Sequence, residues 1–420
     1  MIQQTLAKEL LLKIIYDRTP FSLALKTVFR RHNLTREDRV NISAVVGCVL
    51  RHFLVMDKII RLGYPEMEKE GIVTLLIALC NALFIKRLDQ KECNDAVAPF
   101  IKEGELSAED FINPYLEDRK LVPSDIEVGS HDFLSYRYNT PVGIVKMWHK
   151  QFGHISANKI LRSNSRPGQT VVRVNNTLIS NDDFFERYPE FERNKNTEGV
   201  ALYRGEIKFK SHQVYEKRLA CLLPLAYKEM FDVIDLDLQR GLAIYCEYPN
   251  DIFSELLAYY PTLENIDFIA SNLNTLNKAK NFLARNNYLK GVNIYEAQAS
   301  SIITCLSKQV QTFLVMPDNS RLNLLQLLPD YFFHFDLEKL DDYIANQKVV
   351  IEEAAAQVEE GGYLLYLIDT ISKKESSAVI NEFLNEHPEF VLLRDKQYFP
   401  YKKYGASYYF AALKKGGMDD

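Results

Sequence analysis

The chain has 420 residues, 47% hydrophobic and 25% charged, with a formal net charge of −5. That is length for two or three domains and a large core, in the composition of an ordinary soluble globular protein. No run approaches the roughly 18 unbroken apolar residues of a membrane helix, and the acidic balance does not advertise a nucleic-acid binder, although a basic face can sit on an acidic body.

The six cysteines (Cys48, Cys80, Cys93, Cys221, Cys246, Cys305) are scattered without CxxC spacing, and the eight histidines form no ligand cluster. No structural metal and no disulfide framework are expected. The first stretch carries Glu9 and Lys13 inside its apolar pattern, so it reads as an amphipathic helix and not as a signal peptide. A cytoplasmic, monomeric protein without a membrane partner is the expectation.

Residues 1–125 read as an all-helical domain. Leu6, Leu10, Leu11, Ile14 and Ile15 recur at helical spacing. Thr35 and Asp38 spell a capping box ahead of a long apolar stretch, one helix or a pair. Gly71 to Leu88 reads as another buried helix. Pro123, Ser124, Gly129 and Ser130 punctuate a linker.

Residues 136–212 read as a small α+β segment. A proline-led helix carries Trp148, the only tryptophan, and stops near Gly153; a second helix runs to about Arg162, and Thr170 to Asn175 alternates as a strand. Basic residues gather here: Lys146, Lys150, Lys159, Arg162 and Arg166, then Lys208, Lys210, Lys217 and Arg218. Such a run is usually a solvated face. Interleaved with Phe152, Tyr203 and Phe209, it also fits a surface that tracks phosphates.

From residue 213 to 416 strands alternate with helices, beginning with one helix over 219–231. This rhythm implies βαβ units and a largely parallel, Rossmann-like sheet. Its last strong strand, Leu364 to Ile368, is entered through Gly361-Gly362 and ends at Asp369. Strand ends of open α/β sheets are where ligands bind.

In order and spacing these residues resemble the bacterial ribosomal-RNA cytosine-5 methyltransferases of the RsmB (Fmu/Sun) family. Asp38-Arg39, Gly47 and Arg51 look like its NusB-like domain. Pro141, Trp148, Gly153 and Arg173-Val174-Asn175 look like its small RNA-binding segment. Gln347, Gly361-Gly362, Leu364 to Tyr366 and Glu375 look like its second active-site motif, and the final SYYFAALKK like its closing strand. The resemblance implies a class I methyltransferase sheet domain, S-adenosylmethionine as methyl donor, and ribosomal RNA as substrate.

The family's chemistry needs a thiolate. A cysteine adds to carbon 6 of cytosine, carbon 5 attacks the methyl donor, and a second cysteine helps base chemistry and product release. Matched residue by residue, both thiols are replaced here, by Asp369 and by Asp318, although Pro317 before the latter is retained. The cofactor turn keeps Cys246 and Pro249, but its two glycines are Asn250 and Asp251. Asp251 is placed to cap the next helix. The acid that would hold the ribose hydroxyls falls near Ser271. The expectation is a catalytically silent relative that binds little or no S-adenosylmethionine, with Asp318 and Asp369 as solvent-facing turn residues. RNA contact is expected through Arg173, Asn175, Lys208, Lys210, Lys217 and Arg218. An active methyltransferase with an atypical site, which would still take S-adenosylmethionine, and a protein-interaction scaffold are the alternatives.

Overall fold

The computed structural model describes residues 2–118, 120–166, 168–250, 252–260, 262–286, 288–402 and 407–416. The chain forms two compact units, Met1–Pro167 with Leu324–Leu337, and Gly168–Asn323 with Glu338–Asp420. The division falls inside the 136–212 segment, so the helix Val142–Asn164 lies in the first unit and the strands, with the short helix Asn181–Arg187, in the second.

The first unit is helical. The apolar stripe of Ile2–Ile15 (Leu6, Leu10, Leu11, Ile14) shares a core with Ile42, Val45 and Val49 of Arg36–Arg51 and with Ile72, Leu75 and Leu79 of Lys69–Cys80. The Thr35–Asp38 capping box forms: each side chain bonds the other residue's backbone amide, which satisfies two orphan donors of the helix start. The long stretch after it breaks at His52 into Arg36–Arg51 and Phe53–Gly63. The helix Val142–Asn164 kinks at Gly153, whose φ of 75° only glycine adopts readily, and Trp148 before the kink is fully buried. Leu324–Leu337 also folds here. Phe333 packs edge-on against Phe53, and Asp330 accepts the Phe21 amide, doing for Phe21–Arg31 what its own Pro20 cap cannot. Among the described residues no single helix is long and apolar enough to cross a membrane; the pair Arg36–Arg51 and Phe53–Gly63 passes on length and composition, bent by 76°.

The second unit holds two sheets. Strands β1 (Thr170–Val174), β2 (Phe191–Arg193), β3 (Val200–Tyr203) and β4 (Ala220–Leu222) pair antiparallel in the order β2-β3-β1-β4. The helix expected over 219–231 is therefore a strand followed by a shorter helix, Leu225–Phe231. Pro224 decides this: it cannot continue a helix from before it, but it serves at the start of one.

The larger sheet contains β5 (Leu242–Cys246), β6 (Ile266–Ala270), β7 (Val292–Glu296), β8 (Val310–Met316), β9 (Val358–Ile368), β10 (Phe390–Gln397) and β11 (Tyr409–Lys415), in the order β10-β11-β9-β8-β5-β6-β7. Five strands are parallel, β11 runs antiparallel beside β9, and β10 closes that edge. Buried Ile, Leu, Val, Phe and Tyr side chains from these strands feed an apolar cluster on each face of the sheet, as its doubly wound connections require. This is the largely parallel, Rossmann-like sheet that the alternation of strands and helices implied. The chain goes from β5 outward through β6 and β7, then returns to β8 on the other side of β5. The direction of winding reverses there, which leaves a crevice at the C-terminal ends of β5 and β8.

Candidate functional site

Cys246 is the last residue of β5, Pro317 and Asp318 follow β8, and Asp369 follows β9. The register of the parallel strands brings these positions together. Asp369 does not face solvent as expected: it is 2% exposed. Its Oδ1 accepts from Asn319 Nδ2 at 3.0 Å, and its Oδ2 from Arg321 Nε at 3.1 Å. Burial pushes its carboxyl above the usual range, against the pull of the Arg321 cation. Arg321 reaches this position from a left-handed backbone (φ 49°) and lays its guanidinium over the Tyr248 ring, 5.2 Å from the centroid.

Asp318 is half-buried, its carboxyl raised by burial and by neighbouring Glu247, and its own Oδ1 accepts the Asn319 amide. Glu247 is a hub. One carboxylate oxygen accepts from the Tyr245 hydroxyl at 2.7 Å; the other accepts from the Asp318 amide at 2.5 Å and from Asn346 Nδ2 at 2.7 Å. Glu375, fully buried, accepts from the amide and hydroxyl of Ser320 and from the Thr370 hydroxyl, which ties the loop after β8 to the loop after β9. Carboxylates that cannot reach water need such donors.

The turn after β5 is the one matched to the family's cofactor loop. Asn250 points its amide nitrogen at the Cys246 sulfur and the Tyr248 carbonyl, while its Oδ1 accepts the Ile252 amide at the start of Ile252–Tyr259. Asp251, expected as that helix's cap, lies outside the described residues. Pro249 is exposed, and Tyr248 is buried at 5% exposure. Cys246 is fully buried, and burial pushes its thiol up to about 12, so no thiolate is available near neutral pH. Ser271 is half-buried just past β6 and bonds Tyr245. Its neighbour Asn272 donates to the Glu247 carbonyl and caps Leu273–Asn286 at Thr275. Beside this turn a cleft of about 40 Å³ lies among Asn250, Ile252, Phe253, Phe268, Thr275 and Phe282. That is room for roughly three waters.

Of the residues expected to touch RNA, Arg173 lies in the interior at 5% exposure. Its Nε faces Glu255 Oε1 at 3.5 Å, and its NH1 donates to Asn176 and to the Glu198 carbonyl. Asn175 shapes a turn: its Oδ1 accepts from the amide and hydroxyl of Thr177 and its Nδ2 donates to the Arg218 carbonyl. Lys208, Lys210, Lys217 and Arg218 are exposed, all on the connection from β3 to β4. Phe209 between the first two lysines is buried in the small sheet's core, which fixes their backbone. Glu247, Asn319, Arg321 and Asn346 escaped the sequence reading. The signal for two of them was present, as bulky charged residues flanking the turns after β5 and β8. Among the described residues no three metal-binding side chains converge.

No family model matches the chain. The probable ribosomal RNA small subunit methyltransferase B of Bacillus subtilis (strain 168) is 23% identical over 412 residues, covering 92% of this chain and 88% of that protein. The chain resembles this methyltransferase family along nearly its whole length. The crystal structure of PH0851 matches with a TM-score of 0.74 at 17% identity, over 98% of this chain and 99% of that one. The structure of NSun6 from Pyrococcus horikoshii with SFG matches with a TM-score of 0.57 at 13% identity, over 66% of this chain and 98% of that one. These likenesses establish the fold: a Rossmann-like methyltransferase sheet domain preceded by helices.

Proposed function

We propose that this chain is an RNA-binding relative of methyltransferase B that has kept the architecture and lost the methyl transfer. One observation carries the reading: the side chains at the ends of β5, β8 and β9 are hydrogen-bonded to one another and to the turns that carry them. Asn250, Tyr248, Glu247 and Arg321 fill the turns where backbone would have to approach a methyl donor. S-adenosylmethionine does not fit the residues present.

The chemistry at the nucleophile position points the same way. Both Asp369 oxygens already accept hydrogen bonds, and a carboxylate is a weak nucleophile towards carbon 6 of a pyrimidine. The one thiol at a strand end of the crevice, Cys246, is held protonated by burial. Support for RNA comes from the exposed Lys208, Lys210, Lys217 and Arg218, together with the ribosomal RNA named for the Bacillus relative.

Calorimetric titration of the purified chain with S-adenosylmethionine tests the silence. No saturable heat is expected, and tritiated methyl is not expected to reach an unmodified ribosomal RNA transcript. Micromolar binding, or a labelled base, would sink the proposal.

A further inference from the structure

We infer that Cys48 and Cys80 form an oxidisable thiol pair in the helical unit, closed to a disulfide by hydrogen peroxide. Two packed helices build it. Cys48 lies in the last turn of Arg36–Arg51, and Cys80 is the last residue of Lys69–Cys80, which packs against that helix. The two thiols are in hydrogen-bond contact. His52 and Phe84 each stand four residues on from one of the cysteines. Their rings stack with centroids 3.9 Å apart and planes 5° from parallel. The thiol contact and the ring stack are thus successive rungs between the same two stretches of backbone. Side chains as short as cysteine meet only where backbones run close, and closeness is what a disulfide requires.

The two sulfurs are unequal in a way that suits the chemistry. Cys48 is 8% exposed, and Cys80 is fully buried. The Cys80 thiol beside it draws the Cys48 thiol down against burial, with help from the Arg51 cation, while burial pushes the Cys80 thiol up. Cys48 is therefore the sulfur that meets the oxidant, and Cys80 the one that resolves it. In the first step the Cys48 sulfur takes one oxygen of the peroxide. The O–O bond breaks, an S–OH bond forms, and one water leaves. In the second step the Cys80 sulfur attacks the Cys48 sulfur, the S–O bond breaks, and the oxygen leaves as a second water with the Cys80 proton. Two thiols are oxidised and one peroxide is reduced to two waters. The other cysteines are set up differently. Burial and the acids Asp89 and Glu92 push the Cys93 thiol up to about 11. Cys221 and Cys305 direct their thiols at the Arg173 and Ser301 carbonyls. The new bond would clasp two helices whose side chains share the core of the unit.

The test uses the full chain, freshly reduced and treated with hydrogen peroxide under native conditions. Thiols are then counted in denaturant, and the count should fall by two from the six of the reduced chain. Digestion should yield one peptide pair joined through Cys48 and Cys80, and dithiothreitol should restore every thiol. Cys48→Ala and Cys80→Ala each keep a small apolar side chain in the core, and neither should yield a joined pair. Cys93→Ala should yield the same pair as the parent. Six thiols surviving a treatment that fully oxidises free glutathione would overturn the inference. So would a bridge that uses Cys93, Cys221 or Cys305 in place of either residue, or one that forms only once the chain is unfolded.

Discussion

The crevice of the sheet unit and the basic stretches of the surface use charge in opposite ways. At the ends of β5, β8 and β9 the charged groups face one another: Asp369 with Arg321, Glu247 with an amide and Asn346, Glu375 with Ser320. On the 208–218 connection the cations face water, and Lys217 and Arg218 also reach the Gln213 side chain and the Arg285 carbonyl. A charge satisfied inside the protein specifies its structure; a charge left unsatisfied outside remains open to a partner. The same residue types thus pair with one another in one region and face solvent in the other. Changing either kind of charge should move a different measurement.

The sharpest break of this contrast is Arg173→Ala. Arg173 belongs with the inward charges, its side chain 7% exposed beside a Glu255 that is fully buried and has one carboxylate oxygen without a hydrogen-bond partner among the described residues. Removing the cation strands that carboxylate, and a loss of about 3–5 kcal/mol is expected in urea unfolding. The pH dependence has a definite sign. Burial already raises the Glu255 carboxyl above its ordinary 4.5, with Arg173 opposing. In the variant that opposition is gone, so the folded pKa rises further above the unfolded one. The destabilisation is then fullest above the folded pKa and shrinks as pH falls through it, because the folded chain takes up the proton. The deficit measured at about pH 8 should exceed that at about pH 5. A surface-like loss below about 0.5 kcal/mol would place Arg173 with the outward cations instead.

Arg321→Ala sharpens the comparison inside the crevice. Its side chain is 34% exposed, so part of its attraction to Asp369 is screened by solvent. Asp369 keeps Asn319 as a donor in the variant, and a loss of about 1–3 kcal/mol is expected. The variant also uncovers the Tyr248 ring. Increased tyrosine quenching by acrylamide, without new binding of S-adenosylmethionine, is the expected readout, since Asn250 and Glu247 still fill the turn.

The sequence displayed the fold more plainly than the site. The parallel core strands are short apolar runs between helices, and Thr35 and Gly153 announce a helix start and a kink through local chemistry alone. The strand β4 was hidden because Ala220 to Leu222 has no alternation of its own; pairing with Val172 to Val174 creates it. The antiparallel β10 was hidden similarly, as an edge that exists through β11. In the site, the positions of Asp318 and Asp369 were readable from order along the chain. Their burial was not, since it depends on Arg321 and Asn319 arriving from a neighbouring loop. Arg173 misled for the same reason: an arginine on a strand is an RNA contact or half of an internal ion pair according to what packs against it, and Glu255 lies 82 residues away.

The smallest expected effect on stability belongs to Lys208→Ala/Lys210→Ala. Both lysines are exposed, and Phe209 between them, which does the packing, is untouched. Unfolding free energy should stay within about 0.5 kcal/mol of the parent. Binding to structured ribosomal RNA should nonetheless weaken, with a salt slope shallower by about 1–2, as for two lost phosphate contacts. A melted small sheet, or RNA binding unchanged at every salt concentration, would erase the distinction between satisfied and available charge on which the RNA reading of the 208–218 connection depends.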